Sequence, residues 1–380
     1  MCIRDSRSAS FDTGSASGFF ADSGVWAVTG GLLQVAAESL GGDAVSVFYI
    51  EDVLPAYFEV QASICVVKPT GGWKANSYII FDYQNEQDFK FAGLDVSINK
   101  LVMGHRDATG WHVDEQAVIR GGVKAEKSYN LLLAINGVTV TLVMDNMNVM
   151  THTYLPRVVD GYSYGLNWGL VGVGSDNSRG TFDNIRAQIL PPQVTLDSTE
   201  DFSDGVADLF TGDSSGMWMV IEGSYQGIPD GGAGMSLVDL GVESLNVASY
   251  LELNAHVETA GLAGFIFDRY GDTSFKFVLV DASTDQVIIG HYTAKNGWMS
   301  DAVVAKSIMA GTRYELGVVL KGSTVSVTLD GQVVLGHAFN AAVVDGDFGL
   351  LATGSRAAFD DVRIMTDDRS FASEHLLASA

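Results

Sequence analysis

What the chain has little of narrows it first. It holds two cysteines, Cys2 and Cys65, in 380 residues. A chain of this length buries a core without cross-links, so a disulfide scaffold is not called for. Cys65 sits in the apolar stretch Ala62-Ser63-Ile64-Cys65-Val66-Val67 and reads as a small buried hydrophobe. No Cys-x-x-Cys or His-x-x-x-His spacing occurs among the two cysteines and seven histidines, which removes the usual zinc patterns. Six prolines are too few for a disordered Pro-rich tract. No apolar run approaches the ~18 residues that span a bilayer. Basic residues are scarce: 22 Lys and Arg against 46 Asp and Glu, a net charge of −24. Such a chain repels nucleic acid and anionic membrane at long range, so neither nucleic-acid binding nor membrane insertion is expected. An acidic surface solvates well, and its loop carboxylates are candidate Ca²⁺ ligands.

What is present is strand-and-turn grammar. Forty-three glycines and 47% hydrophobic residues come as short apolar bursts broken by Gly, Asp, Asn and Ser. The strongest signal is an internal repeat. Phe81-Asp82 recurs as Phe267-Asp268, Phe89-Lys90-Phe91 as Phe275-Lys276-Phe277, and Gly104-His105 as Gly290-His291, each at an offset of 186. Gly110-Trp111 returns as Gly297-Trp298 at 187, Tyr129 as Tyr314 at 185, and Phe182-Asp183 as Phe359-Asp360 at 177. Units this long are whole domains in tandem. Residues 1–10 read as a leader outside the fold, 11–190 as the first domain, 191–200 as a linker, 201–366 as the second domain and 367–380 as a tail. Met1-Cys2-Ile3-Arg4-Asp5-Ser6 resembles a translated adapter leader, and the chain reads as part of something longer. Pro191-Pro192 makes the linker stiff and extended.

Late in the second copy, Thr324–Leu329 alternates polar and apolar, Asp330-Gly331 is a hairpin turn, and Gln332–Leu335 returns. Asn136-Gly137 and Asp145-Asn146 are the matching turns of the first copy. No long 3.6-residue stripe occurs. The fold class expected is all-β: two tandem antiparallel β-sandwiches, each of about twelve to fourteen strands.

Trp26-Ala27-Val28-Thr29-Gly30-Gly31-Leu32, Trp218-Met219-Val220-Ile221-Glu222-Gly223, the Phe-Asp…Phe-Lys-Phe hairpin, Gly-His…Gly-Trp and the closing Gly-Leu…Phe-Asp stretches occur in one order, twice. The closing stretches are Gly169-Leu170 to Phe182-Asp183-Asn184-Ile185 and Gly349-Leu350 to Phe359-Asp360-Asp361-Val362. In this order the chain resembles the concanavalin A-like, laminin G-like jelly rolls. The resemblance covers nearly all of both copies. It implies an extracellular or cell-surface setting in a large, bacterial, secreted or surface repeat protein, alongside other domains of the same long chain. It implies a fold and a setting rather than a reaction, because one fold hosts lectins, hydrolases and spacers.

Catalytic equipment is not evident. Glycoside hydrolases of this fold carry Glu-x-Asp-x-x-Glu on one strand, and no such run is present. Asp114-Glu115 and Glu51-Asp52 are adjacent pairs whose side chains diverge on a strand. Gly212-Asp213-Ser214-Ser215-Gly216 matches the nucleophile-elbow spacing but precedes a strand-like run rather than a helix. Asp230-Gly231-Gly232-Ala233-Gly234-Met235-Ser236 is half a calcium nonapeptide with Ser236 where Asp is needed, and reads as a loop. His105 and His291 recur, and read as half-buried histidines bonded to a carbonyl or as ligand contacts.

The expectation is therefore a non-enzymatic, carbohydrate-binding or adhesive module, with polysaccharide or cell-surface glycan as partner. The alternatives are a spacer without a ligand and, remotely, a glycoside hydrolase. Trp73, Trp168, Trp111 and Trp298 are the candidate ligand platforms, Trp73 and Trp168 lying on first-copy insertions. Asp12, Asp183, Asp204 and Asp360 are candidate ligands for one Ca²⁺ per domain, clipping first strand to last. For Asp183 and Asp360 the alternative role is to cap turns.

Overall fold

The structure, a computed structural model, describes residues 6–50, 54–189 and 194–372. Most of the leader, Glu51 and Asp52, the Pro191-Pro192 step and residues 373–380 lie outside the described residues. The chain divides into two compact units. Each is built on two antiparallel sheets packed face to face.

In the first copy an eight-stranded sheet runs in the order Met147–Thr153, Thr139–Met144, Ser128–Asn136, Tyr57–Val66, Arg179–Ile189, Leu32–Ala36, Val25–Thr29, with Ser6–Ala9 also on Arg179–Ile189. A seven-stranded sheet runs Gly110–Ala117, Lys100–Asp107, Asp88–Asp95, Asn76–Asn85, Leu170–Asp176, Asp43–Phe48, Phe19–Ser23. The second copy repeats both orders strand for strand, from Gln332–Ala338 across to Met217–Ile221 and from Gly297–Ala305 across to Ser214–Ser215. The chain is a tandem of two antiparallel β-sandwiches of one strand order. The two-stranded hairpin Arg157–Val159 with Tyr162–Tyr164 has no counterpart strands in the second half among the described residues. No helix of the described residues is long and apolar enough to cross a membrane.

Strand period explains the eight-stranded sheets. In Tyr57–Val66 the inward residues Phe58, Val60, Ala62, Ile64 and Val66 join the core, while Glu59, Gln61 and Ser63 face away. Leu251, Leu253, Ala255 and Val257 do the same in the second copy. Cys65 falls on the outward parity and is only partly buried, so it is not the core residue its neighbours suggested. The seven-stranded sheets are apolar on both faces. Their outer face carries Tyr78, Ile80, Phe89, Phe91 and Val102 in the first copy and Ile266, Phe275, Phe277, Leu279 and Ile288 in the second. This two-sided burial is why their sequences run apolar without alternation.

The domain edges differ from the sequence reading. Ser6–Ala9, set aside with the leader, pairs with the last strand of the first sandwich, Ser6 opposite Gln188. Leu196–Glu200, assigned to the linker, pairs equivalently with Ala357–Thr366. Such short polar strands are held by backbone hydrogen bonds and carry no apolar period to read. The first residues of the tail also belong to the second fold. Asp368 is buried and accepts hydrogen bonds from the Asn246 N–H, the Ser249 hydroxyl at 2.8 Å and the Ser370 N–H at 2.8 Å. The closing Gly-Leu match is shifted by three residues. Gly172 lies opposite Ile80 and Gly349 opposite Ile266, so Gly172, not Gly169, corresponds to Gly349.

Candidate functional site

The repeated motifs converge at one end of each seven-stranded sheet. Asp82 and Asp268 have φ of 46° and 49°, a left-handed kink that Asp tolerates better than most residues. The kink turns each carboxylate to the lysine of the Phe-Lys-Phe motif, Lys90 or Lys276, on the neighbouring strand. Both carboxylates are buried. A buried carboxylate without a cation would be costly, so the two motifs form one device. Gly169 and Gly346 let the adjoining backbone approach, since a Cβ would lie 2.4 Å from the Asp82 carbonyl carbon or 2.6 Å from that of Asp268. Each ammonium also lies over a ring, Lys90 over Tyr154 at 5.3 Å and Lys276 over Phe339 at 5.0 Å.

The Gly-His motif forms a second device. The ladder between Lys100–Asp107 and Gly110–Ala117 slips between Val113 and Glu115, leaving Asp114 unpaired. The second copy slips at the same place, with Ile289 opposite Ala302 and Gly290 opposite Ser300, leaving Asp301 over. A bulge re-aims the extra side chain. Here it brings Asp114 to 2.8 Å from His105 Nδ1 and Asp301 to 2.6 Å from His291 Nδ1. The glycine is a steric requirement of the bulge. A Cβ on Gly104 would meet the His112 carbonyl at 1.9 Å, and one on Gly290 the Met299 carbonyl at 2.2 Å. The repeated histidines are thus bonded to carboxylates, not to the carbonyls expected from sequence.

In the second copy these groups line a cavity of about 480 Å³, with Asp268, Tyr270, Lys276, His291, Asp301, His337, Phe339 and Asn340 in its wall. Oδ1 of Asp268 is itself closed off from solvent and makes no hydrogen bond, while the Tyr270 hydroxyl interacts with the same carboxylate. Tyr270 stands at the position of Gln84, whose Nε2 donates to Asp82 Oδ1 at 3.2 Å in the first copy. Burial lowers the His337 pKa, Asp301 opposing and His291 adding to the shift. His337 packs edge-on against Phe339, as His152 does against Tyr154 in the first copy. Sequence reading missed Asp268, Lys276, Asp301 and His337 as site residues, although the repeat motifs contained the first two.

Among the described residues, neither His105 nor His291 has a hydroxyl or thiol within hydrogen-bond reach. The Gly212–Gly216 pentapeptide forms no elbow. Ser214–Ser215 is a short edge strand, and the Ser215 hydroxyl donates to the Ala233 carbonyl. The half-nonapeptide 230–236 leads into strand Ala233–Leu237, where Ser236 is buried beside the Tyr225 hydroxyl at 2.9 Å. It is not a free loop.

The tryptophans separate into two kinds. Trp111 packs on Tyr78, Phe89 and Phe91 and donates to Asp43 at 2.8 Å, and Trp298 packs on Phe275, Phe277 and Tyr292. Both form the rim of the outer aromatic face, with Trp298 the more exposed at 43%. Trp73 lies under the Arg179 guanidinium at 5.2 Å, beside Lys74, which bonds Asp176 and Asn177. Trp168 lies just before the other end of strand Leu170–Asp176. A strand of this length spans about 20 Å, so Trp73 and Trp168 do not share one platform.

The four aspartates do not gather into a group of three side-chain ligands among the described residues. Asp183 accepts the N–H of Asn184 at 2.7 Å and Asp360 that of Asp361 at 2.8 Å. Asn184 and Asp361 both have φ of 48°, and the strand bulges there. The Phe-Asp-Asn/Asp motif therefore caps a bulge. Asp360 is also held by Arg313 at 2.9 Å, Asp204 caps the turn to Val206 at 2.9 Å, and Asp12 lies beside the Gly30-Gly31 turn. The one convergent group of potential side-chain metal ligands among the described residues is His105, Asp107 and His112.

No protein-family model and no curated protein matches the chain. Solved structures of similar fold include the carbohydrate-binding module CBM66 from Bacillus subtilis, at 15% identity and TM-score 0.37 over 45% of this chain and 95% of that one. The carbohydrate recognition domain of Emp47p matches at 10% identity and TM-score 0.37 over 50% and 96%. Mouse laminin alpha1 chain domains LG4-5 match at 12% identity and TM-score 0.28 over 91% and 92%. These are likenesses of fold.

Proposed function

We propose that the chain is a non-catalytic, carbohydrate-binding module with an adhesive role in a larger extracellular or surface protein, and that the second-copy cavity is its glycan site. The carrying observation is a cavity of sugar size whose wall combines the Asp268 and Asp301 carboxylates and the Lys276 ammonium with the His337 and Phe339 rings. Sugar hydroxyls donate to the partly exposed Asp301 carboxylate in that wall. Lys276, His337 and Asn340 read further hydroxyls, and Phe339 offers an apolar face to a pyranose ring. The strong negative charge favours a neutral glycan over a polyanion.

The test is calorimetric titration of the full chain with laminarin, xylan and mannan. Binding to at least one is expected, weakened about tenfold or more by Tyr270→Ala or Asn340→Ala without loss of the fold. No binding to any of them, or binding indifferent to both substitutions, overturns the reading. Turnover of laminarin or xylan would overturn the non-catalytic part.

A spacer role is the second reading, favoured by the first copy. There Asp82 is bonded by both Lys90 and Gln84, and His105 by Asp114, so these groups satisfy one another.

A further inference from the structure

Beyond the bulge, the first-copy hairpin carries something that the second lacks. His105 and Asp107 are two residues apart on one strand and share a face, and His112 stands opposite His105 on the next. One ligand atom from each lies within 4.8 Å of the others. The two imidazoles stack with centroids 5.0 Å apart, and His112 Nε2 is 3.1 Å from Asp107 Oδ1. Zinc–nitrogen and zinc–oxygen bonds of about 2.0–2.1 Å place two ligands of a tetrahedral ion about 3.3 Å apart. The His112–Asp107 pair already has that spacing, and a ring nitrogen of His105 lies within 4.8 Å of both.

We propose that His105, Asp107 and His112 bind one divalent transition-metal ion of the zinc type, with the remaining positions open to solvent. A second observation outside the ligand set points the same way. Both carboxylate oxygens of Asp114 lie within 2.9 Å of His105 Nδ1. That contact fixes the proton on Nδ1 and leaves the Nε2 lone pair for the metal, the outer-shell arrangement that orients ligating histidines. Two imidazoles in the set select a borderline ion over calcium, which takes oxygen ligands in greater number. Thr109, whose hydroxyl is 2.8 Å from His112 Nε2 and 2.6 Å from Asp107 Oδ1, releases both on metal binding.

The second copy is a built-in control. It keeps the outer pair, His291 with Asp301, but Thr293 stands at the Asp107 position and Met299 at the His112 position. This proposal is independent of glycan binding at the second-copy cavity.

The experiment is calorimetric titration of the metal-free full chain with Zn²⁺, and separately with Ca²⁺. One equivalent of zinc is expected, lost in Asp107→Asn and His112→Gln, weakened about 10- to 100-fold in Asp114→Asn, and unchanged in His291→Gln. The double substitution Thr293→Asp with Met299→His is expected to add a second equivalent. Absence of zinc binding, zinc binding unaffected by His112→Gln, or calcium bound at the same residues overturns the proposal. Circular dichroism confirms that each variant is folded, so a lost site is distinguished from a lost fold.

Discussion

The two copies share a framework and differ in what stands on it. Both keep the kinked aspartate with its lysine, the bulged aspartate with its histidine, and the glycines that let backbone pass. They diverge at single positions around that framework. Gln84 donates its amide N–H to Asp82 where the Tyr270 hydroxyl stands by Asp268, and Asp107 with His112 stands where the second copy has Thr293 with Met299. The shared part is the part whose loss would expose a buried charge or a steric clash. The variable part is exposed or lines open space, where substitution is cheap and chemistry can change.

The largest effect tests the shared ion pair. Lys276→Met strands a buried carboxylate and is expected to cost about 3–5 kcal/mol. Lys90→Met is expected to cost less, because Gln84 still bonds Asp82. Urea unfolding followed by tryptophan fluorescence reads both, and equal losses would break the contrast. Next come the bulge glycines. Gly104→Ala and Gly290→Ala each drive a methyl into a backbone carbonyl, and a loss of about 2–3 kcal/mol is expected for either. A neutral result in one copy would show that its bulge can relax.

A smaller effect separates Asp95 from Asp281, which occupy one position at the 186 offset. Burial raises the pKa of Asp95 more than the N–H groups of Ile98 and Ser97 lower it. At Asp281 burial is opposed by the hydroxyls and N–H groups of Ser283 and Thr284, and the net shift is downward. The signs follow by linkage. Asp281, depressed in the fold, adds stability above the ordinary Asp range, lost as pH falls through its folded value. Asp95, raised in the fold, costs stability as pH rises from the ordinary Asp range through its folded value. Asp281→Asn is expected to lose about 1 kcal/mol at pH 7, the loss vanishing in acid below pH ~4. Asp95→Asn is expected to be neutral or stabilising at pH 7. Melting curves across pH check both, and the same sign in both would refute the contrast.

The smallest effect is at the strand that opens the second sandwich. Arg363 bonds Asp197 at 2.7 Å with both side chains largely exposed. Arg363→Ala is expected to lower stability by about 0.2–1 kcal/mol. A larger loss in urea unfolding would mean that the opening strand depends on this pair.

Much of the fold was legible because its signals are local. Alternation in Tyr57–Val66 and the Asp330-Gly331 turn follow from side-chain period and backbone sterics, and the repeat needs only comparison of the chain with itself. The site was half legible. Phe-Asp, Phe-Lys-Phe and Gly-His were all visible as recurring strings, but nothing local shows that the aspartate of one meets the lysine of the next. Tryptophans drew attention by type, yet Trp73 and Trp168 lie near opposite ends of one strand.

The sequence by itself determined two antiparallel β-sandwiches in tandem, because strand period and turn residues act over a few positions. Only the tertiary structure decided the site. The bulges that free Asp114 and Asp301 exist in the pairing of two strands, and the kinked backbone at Asp82 and Asp268 packs against Gly169 and Gly346, distant in the chain, where a Cβ would clash. Such features depend on register, and register is a property of neighbours across the sheet rather than along the chain.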